Sequence, residues 1–134
     1  MSLSGTFQVL YDFGLSGEDA EAAPAQDTNG VFYGTTYKGG RYGFGTVYSL
    51  NMGLAPFVTF VLPAGKAATN AQILGQGLTG TTGVTFNGIA ATSFKVVSDT
   101  CMTAVVPSGA TTGKVVVTTP GGTLTSNVSF RVVN

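Results

Sequence analysis

The chain contains no histidine and no tryptophan, and only one of its 134 residues is a cysteine. Cys101 therefore has no partner for an internal disulfide and no imidazole base that could convert its thiol into a nucleophilic thiolate. Met102 and Ala104 are predicted to face inward along the same strand, so Cys101 is predicted to point outward as an incidental thiol. These absences argue against nucleophilic catalysis, and we predict that the chain is not an enzyme.

Charged residues are also scarce. They make up 9% of the chain, six basic and six acidic with a net charge of zero, against roughly 25% in an average soluble protein. The basic side chains are scattered, whereas phosphate binding needs clustered lysine and arginine, so we predict no nucleic-acid partner. No apolar run approaches the roughly 20 residues of a transmembrane helix, and we predict no insertion into a membrane.

The chain is instead rich in hydrophobic residues (43%), in glycine (20 residues), and in threonine and valine. This composition argues against disorder and favours short β-strands joined by glycine-rich turns. The length suits one domain with an appendage, and the composition changes around residues 54–56. We therefore predict an N-terminal segment over residues 1–53 and a domain over residues 54–134. Because the first residues lead directly into strand-like sequence without a signal peptide, we expect a fragment of a longer protein with a short added leader.

In the N-terminal segment, apolar and polar residues alternate as in β-strands over three stretches: residues 6–13, 31–36 and 45–50. The polar residues 14–28, which include a glycine and a proline, are predicted to be a solvated loop. Residues 38–43 are predicted to form a glycine-rich loop between the second and third strands.

Residues 29–40 read NGVFYGTTYKGG and residues 43–48 read GFGTVY. This segment resembles one unit of the bacterial tandem repeats DGNFYGTTxxGG…GYGTVF, a choice-of-anchor type found in long arrays on secreted or surface proteins. Asn29 stands where these repeats usually have aspartate. The resemblance implies propeller-like β-structure. One unit cannot supply the about four or more blades of a propeller. We therefore predict a β-hairpin or propeller-like repeat fragment that packs on the second domain, pairs with another copy or stays partly loose.

In the C-terminal domain, residues 83–97 form two alternating runs joined at Asn87-Gly88. Asn-Gly tolerates positive φ at both central positions of a type I′ turn and is the strongest short-range signal for a hairpin. Two facing sheets of such strands give a sandwich with a core about 10 Å thick. The side chains predicted to face this core are Phe57, Ile73, Val84, Phe86, Phe94, Val96, Met102, Ala104, Val106, Val115, Val117, Phe130 and Val132.

The same domain carries short motifs in a fixed order. They are LPAG (62–65), AQILGQGL (71–78), VTFNG (84–88), SDT (98–100), VVP (105–107), GKVVV (113–117), TPGG (119–122) and FRV (130–132). Their order and spacing resemble those of an IPT/TIG domain. The resemblance implies an all-β fold, an immunoglobulin-like (E-set) β-sandwich, and a role in adhesion, scaffolding or display on a bacterial surface.

Aromatic side chains with flanking basic residues are the best candidate for recognition. Such rings can stack on sugars or anchor a protein partner; alternatively, they pack against neighbouring repeats of an intact array. The predicted binding residues are Tyr33, Tyr37, Arg41, Tyr42 and Tyr48, with Phe32, Phe44 and Lys38 beside them.

Acidic residues offer weaker candidates. Asp19, Glu21, Asp27 and Asn29 could give oxygen ligands to Ca²⁺, but their spacing lacks the pattern of an EF-hand loop, and turn formation is the favoured role. Nothing apolar brackets the neighbouring Glu18, as a raised catalytic carboxyl pKa would require. The glycine-rich loop lacks the Gly-Lys-Ser/Thr ending of a phosphate cradle. We predict no metal and no cofactor.

Together these observations predict a non-catalytic interaction or adhesion module that is extracellular or on a cell surface, with a protein or glycan partner. The alternative is a carbohydrate-binding accessory domain of a secreted polysaccharide-active protein. The Thr- and Val-rich residues 114–119 also raise the prediction of a homodimer formed by edge-strand pairing.

Overall fold

The computed structural model describes residues 17–133, and all regular structure within them is β. The strand predicted over residues 6–13 lies outside the described residues. The chain forms two compact units. Unit 1, as far as it is described, comprises residues 17–26 and Phe32–Leu50; unit 2 comprises Asp27–Val31 and residues 51–133. The described residues include no helix with the length and apolar character that a membrane crossing requires.

Unit 1 contains five short strands within its described residues. They are β1 (Gly17–Glu18), β2 (Ala25–Gln26), β3 (Phe32–Thr36), β4 (Lys38–Gly39) and β5 (Thr46–Leu50). The strands predicted over residues 31–36 and 45–50 are confirmed as β3 and β5, which pair antiparallel. The prediction of a loop over residues 14–28 is wrong at β1 and β2, because these pair with β4 and β3 through backbone hydrogen bonds that local sequence does not specify.

Unit 2 is a β-sandwich. Its strands are β6 (Thr59–Phe60), β7 (Ala64–Gly65), β8 (Asn70–Leu74), β9 (Gly83–Phe86), β10 (Ile89–Ala90), β11 (Phe94–Ser98), β12 (Cys101–Val105), β13 (Val115–Thr119), β14 (Gly122–Thr125) and β15 (Arg131–Val132). Two antiparallel four-stranded sheets have the orders β10-β9-β13-β14 and β11-β12-β8-β6, and β15 pairs in parallel with β7. The predicted all-β sandwich is confirmed.

The hairpin predicted at Asn87-Gly88 is also confirmed. Both residues have positive φ, 46° and 86°, as a type I′ turn requires. Phe86 pairs directly with Ile89 across the two-residue turn, so the turn fixes which side chains of β9 face the core.

The core of unit 2 is built around Phe130. Its ring lies between those of Phe60 and Phe86, with both centroid distances 5.2 Å and edge-to-face angles of 63° and 75°. Because β6 and β9 belong to opposite sheets, these contacts join the two layers. The buried apolar side chains are Val58, Phe60, Ala71, Ile73, Leu78, Val84, Phe86, Met102, Ala104, Val106, Val115, Val117 and Phe130.

The predicted core is correct along β9, β12 and β13 and wrong near the domain entry. Val58 and Phe60 are buried there, whereas Phe57 is only partly buried. A shift of one residue reverses the face of a strand. Phe94 is 38% exposed because it begins the edge strand β11, and Leu78, which no alternation marked, is fully buried.

The central position of β13 corrects the predicted dimer contact. β13 pairs with β9 on one side and β14 on the other, so its backbone groups are already used within the sheet. Residues 114–119 therefore do not offer a free edge, and the prediction that this strand pairs with a second chain is wrong. Homodimerisation by another edge stays a prediction.

Candidate functional site

The candidate site is the loop over residues 37–45, which joins β3 to β5 and contains β4; we call it the aromatic loop. Its backbone folds back on itself, since the N–H of Gly43 donates to Gly40 (3.2 Å) and that of Gly45 donates to Gly39 (3.0 Å). The N–H of Tyr37 donates to the carbonyl of Asp19 at 3.0 Å. The loop is thus held by backbone hydrogen bonds both internally and to the segment after β1.

Thr36 braces the base of this loop. Its side chain is 6% exposed, and its hydroxyl donates to the carbonyl of Lys38 at 2.8 Å. The same oxygen accepts from the N–H of Thr46 at 3.0 Å and lies 2.9 Å from the Thr46 hydroxyl. One buried hydroxyl therefore connects the residue before the loop, Thr36, with Lys38 near its start and with Thr46 just after its end.

Gly45 closes the loop at a position that only glycine fits. Its φ is +91°, and a Cβ added there would overlap the carbonyl oxygen of Thr36. A side chain at this position would force the two ends of the aromatic loop apart.

Three aromatic side chains of the loop point to solvent. Tyr37, Tyr42 and Phe44 are 71%, 74% and 92% exposed. Exposed rings on one short loop form a surface that can contact a ligand. An open depression of about 280 Å³ lies beside two of them; it is lined by Thr36, Tyr37, Lys38, Gly43 and Phe44.

The charges of the loop are partly compensated. Lys38 forms an ion pair with Asp19, with 2.8 Å between Nζ and Oδ2, and both side chains are about half exposed. Arg41 lies with its guanidinium carbon 5.5 Å from the centroid of the Tyr42 ring, a cation–π geometry. The pairing of Arg41 with Tyr42 orients one ring of the site.

Tyr33 and Tyr48, two of the five predicted binding residues, lie on the strands instead of in the loop. Tyr48 pairs with Gly34, and a Cβ added at Gly34 would overlap its ring; the ring thus covers the glycine and is partly buried. Tyr33 is 42% exposed and pairs with Ser49, one position along from the Gly34–Tyr48 pair, so it lies on the opposite face of the hairpin. The structure brings Tyr37, Arg41 and Tyr42 together in one loop and leaves the other two apart.

The acidic candidates have structural contacts. Asp27 accepts hydrogen bonds from the N–H of Thr28 (2.7 Å) and from Nε2 of Gln76 (2.7 Å), and Asn29 accepts one from the N–H of Val31 (2.7 Å). The two local bonds stabilise the turn over Asp27–Val31. Turn formation is the role that the sequence favours for Asp27 and Asn29. Glu21 is exposed. Across residues 17–133 no three His, Cys, Asp or Glu side chains group in a way that could hold a metal ion.

Asp99 has a structural role in unit 2. Hydrogen bonds from the side chain and N–H of Thr79, and from the N–H of Gly77, hold the pKa of its carboxyl below the ordinary value of 3.8. Its own carbonyl accepts from the N–H of Leu78 at 2.9 Å. Asp99 thus fixes the loop that inserts Leu78 into the core.

Sequence reasoning missed two residues that shape the site, Asp19 and Thr36. Asp19 reaches Lys38 because β1 pairs with β4, a contact distant in sequence. Thr36 is one of two adjacent threonines, and only strand register decides which of them is buried. No local signal could have identified either one.

No family model matches the chain, and no curated protein matches it in sequence. Several solved structures are similar to it, among them the following two. One is SGBP-B of the mixed-linkage glucan utilization locus of Bacteroides ovatus, in complex with a mixed-linkage heptasaccharide (16% identity, 70% of this chain, TM-score 0.45). The other is the γ-CGTase of alkalophilic Bacillus clarkii (21% identity, 74% of this chain, TM-score 0.43). The chain spans 28% and 17% of their lengths, and at these TM-scores neither match assigns it a function.

Proposed function

We propose that this chain is a non-catalytic interaction module of an extracellular or cell-surface protein, and that it binds its partner through the aromatic loop. The observation that carries this proposal is the exposure of Tyr37, Tyr42 and Phe44 on a loop whose backbone is held in place by Thr36 and Gly45. Rings presented on a fixed backbone lose little conformational entropy on binding, which favours affinity.

A non-catalytic role is supported by the way three described aspartates are used. The chain has no histidine, and Asp19, Asp27 and Asp99 are each engaged in an ion pair or in hydrogen bonds that hold local structure. A catalytic acid or base needs a proton-transfer position facing a substrate. The three aspartates serve the fold instead.

In this proposal unit 2 is an IPT/TIG-type β-spacer, as its sequence motifs imply, and unit 1 is the tail of a surface repeat array. The buried core of unit 2 supports a rigid spacer, because its large apolar side chains are used in packing between the two sheets. The surface location and a role in adhesion rest on the two sequence resemblances.

The test is attachment of protein-coated beads to surfaces. Beads carrying the full chain are applied to immobilised bacterial envelopes, plant cell walls and extracellular-matrix protein, and compared with beads carrying the double variant Tyr37→Ala/Tyr42→Ala. We expect saturable attachment of the parent to at least one surface and a loss of at least about tenfold in the double variant. Equal attachment of both proteins would show that the loop is not the binding face.

A further inference from the structure

We infer that the ligand of the aromatic loop is a neutral polysaccharide chain; this inference rests on the proposed function and names the ligand class. The chain lies across the exposed rings, with one sugar ring in the depression between Tyr37 and Phe44 and the next ones over Tyr42. The apolar C–H face of a sugar ring packs on an aromatic ring, while its hydroxyls stay at the rim for hydrogen bonding.

The size of the site favours a glycan over a protein partner. A standard protein interface uses about 20 to 30 residues and roughly 800 Å² on each side. The aromatic loop spans only residues 37–45, and its four glycines contribute no side chain. Its depression of about 280 Å³ lies just below the roughly 300 Å³ at which pockets for whole small ligands begin. The loop fits a ligand that presents narrow, repeated apolar faces.

The charge of the site favours a neutral chain over an acidic one. Lys38 is compensated by Asp19 at 2.8 Å. Arg41, which lies over the Tyr42 ring, keeps its positive charge and is the other basic residue of the loop. An acidic polysaccharide would need several uncompensated basic groups along its path. The whole chain also has a net charge of zero, so it provides no long-range attraction for polyanions.

Polar groups of the loop and of its partner Asp19 match the hydroxyls of a sugar; Tyr37 and Lys38 among them line the depression. The Lys38–Asp19 pair is half exposed, so its ammonium can donate and its carboxylate can accept without losing their mutual contact. The phenolic hydroxyls of Tyr37 and Tyr42 add further donors and acceptors at solvent-exposed positions.

The experiment measures retardation of the full chain in native gels that contain one polysaccharide each. The neutral probes are mixed-linkage β-glucan, xyloglucan and galactomannan, and the acidic probe is polygalacturonate. The variants are Tyr37→Ala, Tyr42→Ala and Phe44→Ala, and the matched control is Val47→Ala, an apolar residue of the same unit that is 79% exposed and lies outside the loop, on β5. Circular dichroism and sedimentation establish fold and mass for every protein.

We expect retardation by at least one neutral probe, a loss of affinity of at least about tenfold in Tyr37→Ala and Tyr42→Ala, and a change of less than about threefold in Val47→Ala. Retardation by polygalacturonate alone that depends on the loop would overturn the neutral ligand and keep the loop as the binding face. Neutral-glycan binding that survives all three loop substitutions would overturn both.

Two other outcomes also contradict the inference. In the first, no neutral probe retards the parent, the parent self-associates, and Tyr42→Ala does not self-associate. The loop would then be a contact between copies of the chain. The second is the absence of retardation and of self-association, which would remove neutral glycans as the ligand and leave the bead assay to decide whether the loop binds at all.

Discussion

The two units differ in where most of their aromatic side chains lie. In unit 2 these side chains fill the space between two sheets, and Phe60, Phe86 and Phe130 meet edge to face inside it. In the described part of unit 1, the buried side chain is that of a threonine, while Tyr42 and Phe44 face solvent. Among the described residues the large apolar core therefore lies in unit 2, and recognition is the role that we propose for the exposed rings of unit 1.

The largest expected effect is on the core of unit 2. Phe130→Ala removes the ring that joins the two sheets, and we expect a loss of about 3–5 kcal/mol in the free energy of unfolding. Urea unfolding monitored by circular dichroism measures it. The matched control is Phe94→Ala, whose side chain is 38% exposed, with an expected loss below about 1 kcal/mol. Equal losses would mean that Phe130 does not link the sheets.

The next effect separates the two units. Thr36→Val removes the hydroxyl that accepts from Thr46 and donates to Lys38, which leaves buried polar groups unsatisfied at a cost of about 1–3 kcal/mol. We expect faster amide exchange in residues 37–46 and unchanged exchange in unit 2. Thr35→Val, at the adjacent exposed position, is the control and should change neither. Faster exchange throughout unit 2 would contradict the separation.

The third effect is the pH dependence of unit 2. The pKa of Asp99 is lowered in the folded chain by hydrogen bonds from Thr79 and Gly77, so its contribution to stability is present above its unfolded value of 3.8 and is lost as the pH falls through the folded value. Asp99→Asn should lower stability at pH 7 and flatten the decline of the urea midpoint below pH 4. Parallel declines in parent and variant would assign the acid sensitivity to other groups.

The smallest effect on stability belongs to the aromatic loop. Tyr37→Ala/Tyr42→Ala should change the free energy of unfolding by no more than about 0.5 kcal/mol, because both rings are exposed. Thermal unfolding followed in parallel with the bead assay checks it. A loss comparable with that of Phe130→Ala would mean that the rings support the fold, and the contrast between the units would disappear.

The sequence predicts the features that depend on interactions between neighbouring residues. The Asn87-Gly88 turn set a hairpin, and alternation along β9, β12 and β13 identified the side chains that fill the sandwich. Strand order and register depend on distant partners. Local sequence therefore cannot reveal that β13 is a central strand, or that Val58 is buried in place of Phe57.

The sequence predicts only part of the candidate site, because some of its contacts also depend on distant strands. Glycines on either side of Tyr42 and Phe44 marked a loop, so Tyr37, Arg41 and Tyr42 could be found from composition alone. The position of Tyr48 over Gly34 and the contact of Asp19 with Lys38 follow from strand pairing. Sequence could not specify them.

The most direct test of the central claim is a titration of the ¹⁵N-labelled chain with oligosaccharides cut from mixed-linkage β-glucan, xyloglucan and galactomannan, followed by amide chemical shifts. We expect shift changes confined to residues 36–46 and the neighbourhood of Asp19, with the amides of β8, β9, β12 and β13 unmoved. Shift changes centred on the sandwich of unit 2, or none with any of the three sugars, would contradict the assignment of a neutral glycan to the aromatic loop.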